Sequence, residues 1–112
     1  MTLLLALACN GADGTSADDT GYVDPACAEL PNVTWENWAH GFFITYCTAC
    51  HSESSPDRYG APEGLDFDTE EQVRTLEGLV RQTVLDEGSM PYGGGVYEED
   101  LELLEIYLDC GL

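Results

Sequence analysis

Lysine is absent from this chain of 112 residues, and its only basic side chains besides histidine are Arg58, Arg74 and Arg81. Against them stand 22 Asp and Glu, for a formal net charge of −19. Nucleic acid and anionic membrane surfaces both attract positive charge, so neither is an expected partner. No segment alternates apolar and polar residues for long enough to read as a strand, so no sheet is expected. The apolar run Leu3-Leu4-Leu5-Ala6-Leu7-Ala8-Cys9 falls well short of the roughly 20 residues that cross a bilayer. What remains is one small domain, and a core built from fewer than about 100 residues is marginal without a staple.

The N-terminal apolar run resembles the hydrophobic part of a secretory signal. Two processing routes stay open. Ala6-Leu7-Ala8 fits a small-x-small cleavage site, which would release a soluble protein. The same residues followed by Cys9 resemble a lipobox, in which Cys9 is lipidated, although Ala6 stands where leucine is usual. No basic residue precedes the run, which leaves room for a start upstream of Met1. Residues 10–24 are Gly, Ser, Thr and Asp with little apolar content, the composition of a flexible, self-repelling linker. The expected layout is therefore a signal or lipoprotein segment over 1–9, an acidic linker over 10–24 and a folded domain over 25–112. The expected location is exported, periplasmic or on the outer surface, with membrane contact only through a lipid on Cys9.

Five cysteines punctuate the chain, and Cys47-Thr48-Ala49-Cys50-His51 is the stretch that names a chemistry. Two thiols about one helical turn apart can reach the two vinyl groups on one edge of a porphyrin, and a histidine directly after them can stand under its iron. The pattern is that of covalent c-type haem attachment, with His51 as an axial ligand. In an exported protein the remaining Cys27 and Cys110 are expected to pair as a disulfide joining the ends of the domain. Two other uses of the thiols compete. A thiol–disulfide oxidoreductase would place its Cys-x-x-Cys at a helix N-terminus after a strand, where the thiol pKa is lowered. Here the pair closes an aromatic segment. A structural zinc site could draw on Cys27, Cys47, Cys50 and Cys110, but a second closely spaced pair is missing.

The spacing of Trp35, Trp38, Phe42, Phe43 and Tyr46 predicts a helix running into Cys47, capped by Thr34 with Glu36 in its first turn. Asp68 or Thr69 caps a second helix through Val73, Leu76 and Val80 towards Leu85, with Gly78 a place where it could split. A terminal helix follows Glu98-Glu99-Asp100. Its inner stripe is Tyr97, Leu101, Leu104 and Leu108, its outer face Glu98, Glu102, Glu105 and Asp109, and its stop Gly111. Residues 52–64 and 87–95 read as loops, the latter carrying Met90-Pro91. His40 is expected on the surface or between helices, and Trp35 and Trp38 in the core.

An aromatic helix entering Cys-x-x-Cys-His, a later Met-Pro in a Gly-rich loop and a last helix ending Ile106-Tyr107-Leu108 resemble the class I cytochrome c family over roughly Trp35 to Asp109. The resemblance implies a mostly α fold of three to four helices around one covalent haem c, with the N- and C-terminal helices crossing at Ala39, Phe43 and Tyr107. It implies Cys47 and Cys50 as attachment sites, His51 as proximal ligand and Met90 as distal ligand. Tyr92 departs from the Met-Pro-Pro often found in that family. The implied function is single-electron transfer to redox partner proteins, at least one with a basic docking face. The alternatives are a haem-bearing sensor or an accessory domain of a redox enzyme complex.

Overall fold

The computed structural model describes residues 24–112, and among these every regular element is helical. Cys9, the segment 1–9 and all of the linker but Asp24 lie outside the described residues. Five helices follow one another: α1 (Pro25–Ala28), α2 (Trp35–Ala39 continued by His40–Tyr46), α3 (Glu70–Thr75), α4 (Glu77–Val80 continued by Arg81–Asp86) and α5 (Glu98–Ile106 continued by Tyr107–Gly111). The count exceeds the expected three to four for two reasons. A single turn forms behind Asp24, whose carboxylate accepts from the Ala26 N–H at 2.8 Å. The middle helix also breaks, at Leu76 (φ −103, ψ 16) rather than at Gly78 two residues later. No helix among the described residues is long and apolar enough to cross a membrane.

Both long entries are fixed by reciprocal caps. Thr34 Oγ1 accepts from the Asn37 N–H at 3.1 Å while Asn37 Oδ1 accepts from the Thr34 N–H at 2.8 Å. Thr69 and Gln72 repeat the arrangement at 3.2 and 2.9 Å. Each box satisfies two backbone donors that a helix start leaves orphaned. The first turn of α2 is wide, with the Ala39 N–H reaching Thr34 O five residues back at 3.0 Å.

The start of α2 packs on the end of α5, and Ala39, Phe43, Leu104 and Tyr107 are buried there with Val73 of α3. Tyr107, not Tyr97, completes the inner stripe of α5. Tyr97 sits at the N-cap in extended conformation and is 71% exposed, whereas Tyr107 follows Leu104 by three residues on the same helical face. Its hydroxyl donates to Glu70 Oε2 at 2.8 Å, and Tyr46 donates to Asp100 Oδ2 at 3.0 Å. Two tyrosine–carboxylate pairs thus tie α5 to α3 and α2. Asp109 does not simply face away: it meets Arg81 at 2.9 Å, and Arg81 also pairs with Glu77 at 2.7 Å.

The two ends of the described segment are drawn together. Cys27 and Cys110 meet as a disulfide with Cα atoms 5.8 Å apart across a sequence separation of 83. Gly111 lies so close to Val33 that an added Cβ would fall on the Val33 carbonyl. Its smallness, which reads in sequence only as a stop signal, is what lets the end of α5 approach the segment before α2.

Candidate functional site

Helix α2 ends at Tyr46, and the next residues keep a helical turn without continuing the helix. The Cys47 carbonyl accepts from the N–H groups of Cys50 and His51 at 3.2 and 2.9 Å. This turn holds Cys47, Cys50 and His51 on one wall of a cleft of about 360 Å³. That size falls within the range of small-molecule sites, roughly 300–1,000 Å³. Phe43 and Tyr46 of α2, Leu65 and Phe67 of the following loop, and Leu79, Val80 and Val84 of α4 make the walls chiefly apolar. Met90 and Pro91 line the same cleft from the later loop. Residues separated by about forty positions are thereby brought to one place.

The His51 ring is held from two sides. Its Nδ1 lies 2.7 Å from Leu65 O. A carbonyl oxygen only accepts, so Nδ1 carries the proton and Nε2 keeps a free lone pair. Phe67 packs edge-on against the imidazole at a centroid distance of 5.5 Å, and its N–H donates to His51 O at 2.9 Å. The wall behind His51 is fixed in turn by Arg58. That guanidinium donates to Ser52 O (2.7 Å), Ala61 O (3.2 Å) and Pro62 O (2.6 Å), and lies 2.7 Å from the buried Asp66 carboxylate. Arg58 is the one basic residue in the cleft lining besides His51.

Met90 hangs from α4. The N–H groups of Ser89 and Met90 both donate to Thr83 O, at 2.8 and 3.1 Å. Two tyrosines form exposed lips of the cleft, Tyr59 at 68% and Tyr92 at 76%. Tyr59 has φ +52, an uncommon conformation for a residue with a side chain, and with Gly60 it forms the turn that brings Ala61 back to Arg58.

Cys47 and Cys50 are not paired with each other. Burial pushes the Cys47 thiol up to about 12, the opposite of what a disulfide oxidoreductase needs from its attacking thiol. The four cysteines do not assemble a zinc site either: Cys27 and Cys110 bond to one another, and among the described residues no group of three His, Cys, Asp or Glu side chains is placed to hold a metal ion. His40 lies outside the cleft, exposed and stacked on Trp35 at 4.8 Å, while Trp35 and Trp38 are half-buried at the core's edge.

The cleft therefore joins four of the residues singled out in sequence, Cys47, Cys50, His51 and Met90. It also contains three contributions that the sequence does not announce: Arg58, the Leu65 carbonyl and Phe67. The only prior signal for Arg58 is its isolation, a single cation in a loop otherwise free of them. No protein-family profile, no curated protein and no solved structure matches this chain.

Proposed function

We propose that the chain is a single-electron carrier with one covalent haem c in this cleft, in a small cytochrome c-like fold whose first and last long helices cross. The observation that carries the reading is the convergence of Cys47, Cys50, His51 and Met90 on one apolar cleft. The residues fit the group. Two unpaired thiols stand three positions apart, an imidazole is oriented with Nε2 free, and a thioether enters from a separate loop.

When bound, a c-type haem supplies an iron centre that gains or loses one electron without rearranging bonds. Cys47 and Cys50 would hold it covalently, and His51 and Met90 would be the residues that ligate its iron. The Leu65 carbonyl fixes the His51 tautomer and raises the basicity of Nε2. Phe43, Phe67, Val80 and Val84 exclude water, and the low dielectric they create strengthens every charge interaction inside. With His51 and Met90 both holding the group, it would serve electron transfer rather than the binding of a small gas.

The acidic surface favours redox partners with a basic docking face, reached across the exposed lips Tyr59 and Tyr92. The N-terminal run and Cys9 favour export, with a lipid at Cys9 or simple cleavage as the two routes. Expression with a periplasmic haem-attachment system should give a red protein whose pyridine spectrum is that of a haem joined by two thioethers. A colourless product would sink the proposal. A sensor or accessory role is the second reading, and carbon monoxide discriminates: a carrier with Met90 on iron should resist it.

A further inference from the structure

We infer that Arg58, with Asp66 as its counter-ion, is the residue that positions the His51 imidazole. The inference rests on the haem reading, since positioning matters most if His51 is an iron ligand. His51 is gripped by two stretches of one loop, 51–52 on its own side and 61–67 across from it. Leu65 supplies the carbonyl that accepts from Nδ1, and Phe67 supplies the ring against the imidazole and an N–H to His51 O. Neither stretch is part of a helix, so something else must keep them in register.

Arg58 spans both. Its Nη1 donates to Ser52 O, directly after His51, while Nε and Nη2 donate to Ala61 O and Pro62 O. The Leu65 N–H donates back to Pro62 O at 3.2 Å, so the carbonyl that Arg58 holds is one turn from the carbonyl that holds His51. A planar guanidinium can serve three carbonyls in one plane; an ammonium on a flexible stem cannot keep the same geometry.

Asp66, between Leu65 and Phe67, is 3% exposed. Its Oδ1 lies 2.7 Å from Arg58 Nη2 and has no other partner. The carboxylate thus acts as a counter-charge that keeps the buried cation in place, and the directional bonds of Arg58 all go to backbone. Its position is telling: among the described residues the one buried carboxylate sits between the two residues that hold the His51 ring.

The test reads the His51 Nδ1–H itself. In the haem-loaded, reduced and therefore diamagnetic protein, its hydrogen exchange is followed by NMR in the parent, Arg58→Lys and Asp66→Asn. Arg58→Lys keeps the charge and loses the fork, and exchange should accelerate at least about tenfold. Asp66→Asn keeps the shape, loses the counter-charge and should act in the same direction. Arg74→Lys, at an exposed pair with Glu71, should leave exchange unchanged. Exchange within about twofold of the parent in a folded Arg58→Lys protein overturns the inference, as does an equal effect of Arg74→Lys. If Arg58→Lys fails to fold, Asp66→Asn decides by the same criterion. A parent that takes up no haem overturns the functional reading alone. The same exchange measurement on that full-length chain then decides for the clamp, because the Nδ1–Leu65 bond forms without a ligand.

Discussion

Two loops face each other across the cleft, and they are built differently. Residues 47–67 carry three of the four proposed haem contacts and are bonded throughout. Besides the Arg58 and His51 bonds, the Ser55 hydroxyl donates to Thr48 O at 2.9 Å and the Glu53 N–H to Asp68 Oδ2 at 3.0 Å. Residues 87–97 carry Met90 and are suspended chiefly from one acceptor, Thr83 O. Left-handed Gly88 precedes Met90, and Gly93 to Gly95, all with positive φ, follow it. A wall of the first kind sets a geometry; an arm of the second kind can be lifted at little cost. Local opening should therefore start at the arm.

The sharpest way to break this contrast is to remove Arg58. Arg58→Met leaves the Asp66 carboxylate buried without a partner and should destabilise the protein by about 3–5 kcal/mol in urea unfolding. Adding Asp66→Leu should return much of that loss, because the uncompensated charge goes with it. A loss under about 1 kcal/mol would mean that the wall is no firmer than the arm.

Next in size is the Cys27–Cys110 disulfide, which belongs to neither loop. Replacing both cysteines by serine releases a closure over 83 residues and should destabilise by about 4 kcal/mol, leaving the proposed ligation by His51 and Met90 intact. A changed absorption spectrum in the folded double mutant would show that the Cys27–Cys110 tie reaches the cleft. Met90→Ala should lower stability by no more than about 2 kcal/mol, since the side chain is only partly buried. Its effect should be seen in the ligation: the iron–sulfur charge-transfer band disappears and carbon monoxide binds. Retention of that band would refute Met90 as ligand.

The same contrast explains how much could be read in advance. Cys47, Cys50 and His51 can be singled out in advance as neighbours on one turn because of their spacing, and Thr34 and Thr69 because a cap is a local signal. Met90 is legible only through its setting in a Gly-rich loop after a helix. Arg58 is not legible, since its partners are backbone carbonyls in a loop without periodicity, whose path depends on the turn at Tyr59-Gly60. The break at Leu76 is missed for a related reason. Glycine is the residue that sequence marks as a breaker, yet Gly78 stays inside α4 and the turn falls at a leucine packed against the core. Tyr97 is misplaced because helical periodicity alone continues through it, whereas it is the N-cap itself and its backbone is already extended.

The last effect is invisible at neutral pH and separates the wall with its thiols from the wall with its thioethers. Burial raises the Cys47 thiol from 9.0 to about 12 in the folded chain. In the haem-free chain the folded form therefore holds a proton that the unfolded form has lost over that window. The corresponding stability is fully present below pH 9 and declines as pH rises towards about 12, with a slope of at most about 1.4 kcal/mol per pH unit for one proton. A thioether has no proton to lose, so the loaded chain lacks this slope. Tyr46 and Tyr107 are also raised, by burial first and then by their bonds to Asp100 and Glu70, but they titrate in both forms and cancel in the difference. Urea midpoints of the loaded and haem-free chains, followed from pH 8 upwards, should diverge as the alkaline window is entered. Parallel curves would mean that the Cys47 sulfur is no more enclosed in the haem-free wall than in water, and that the wall, like the arm, takes its final shape only with the cofactor.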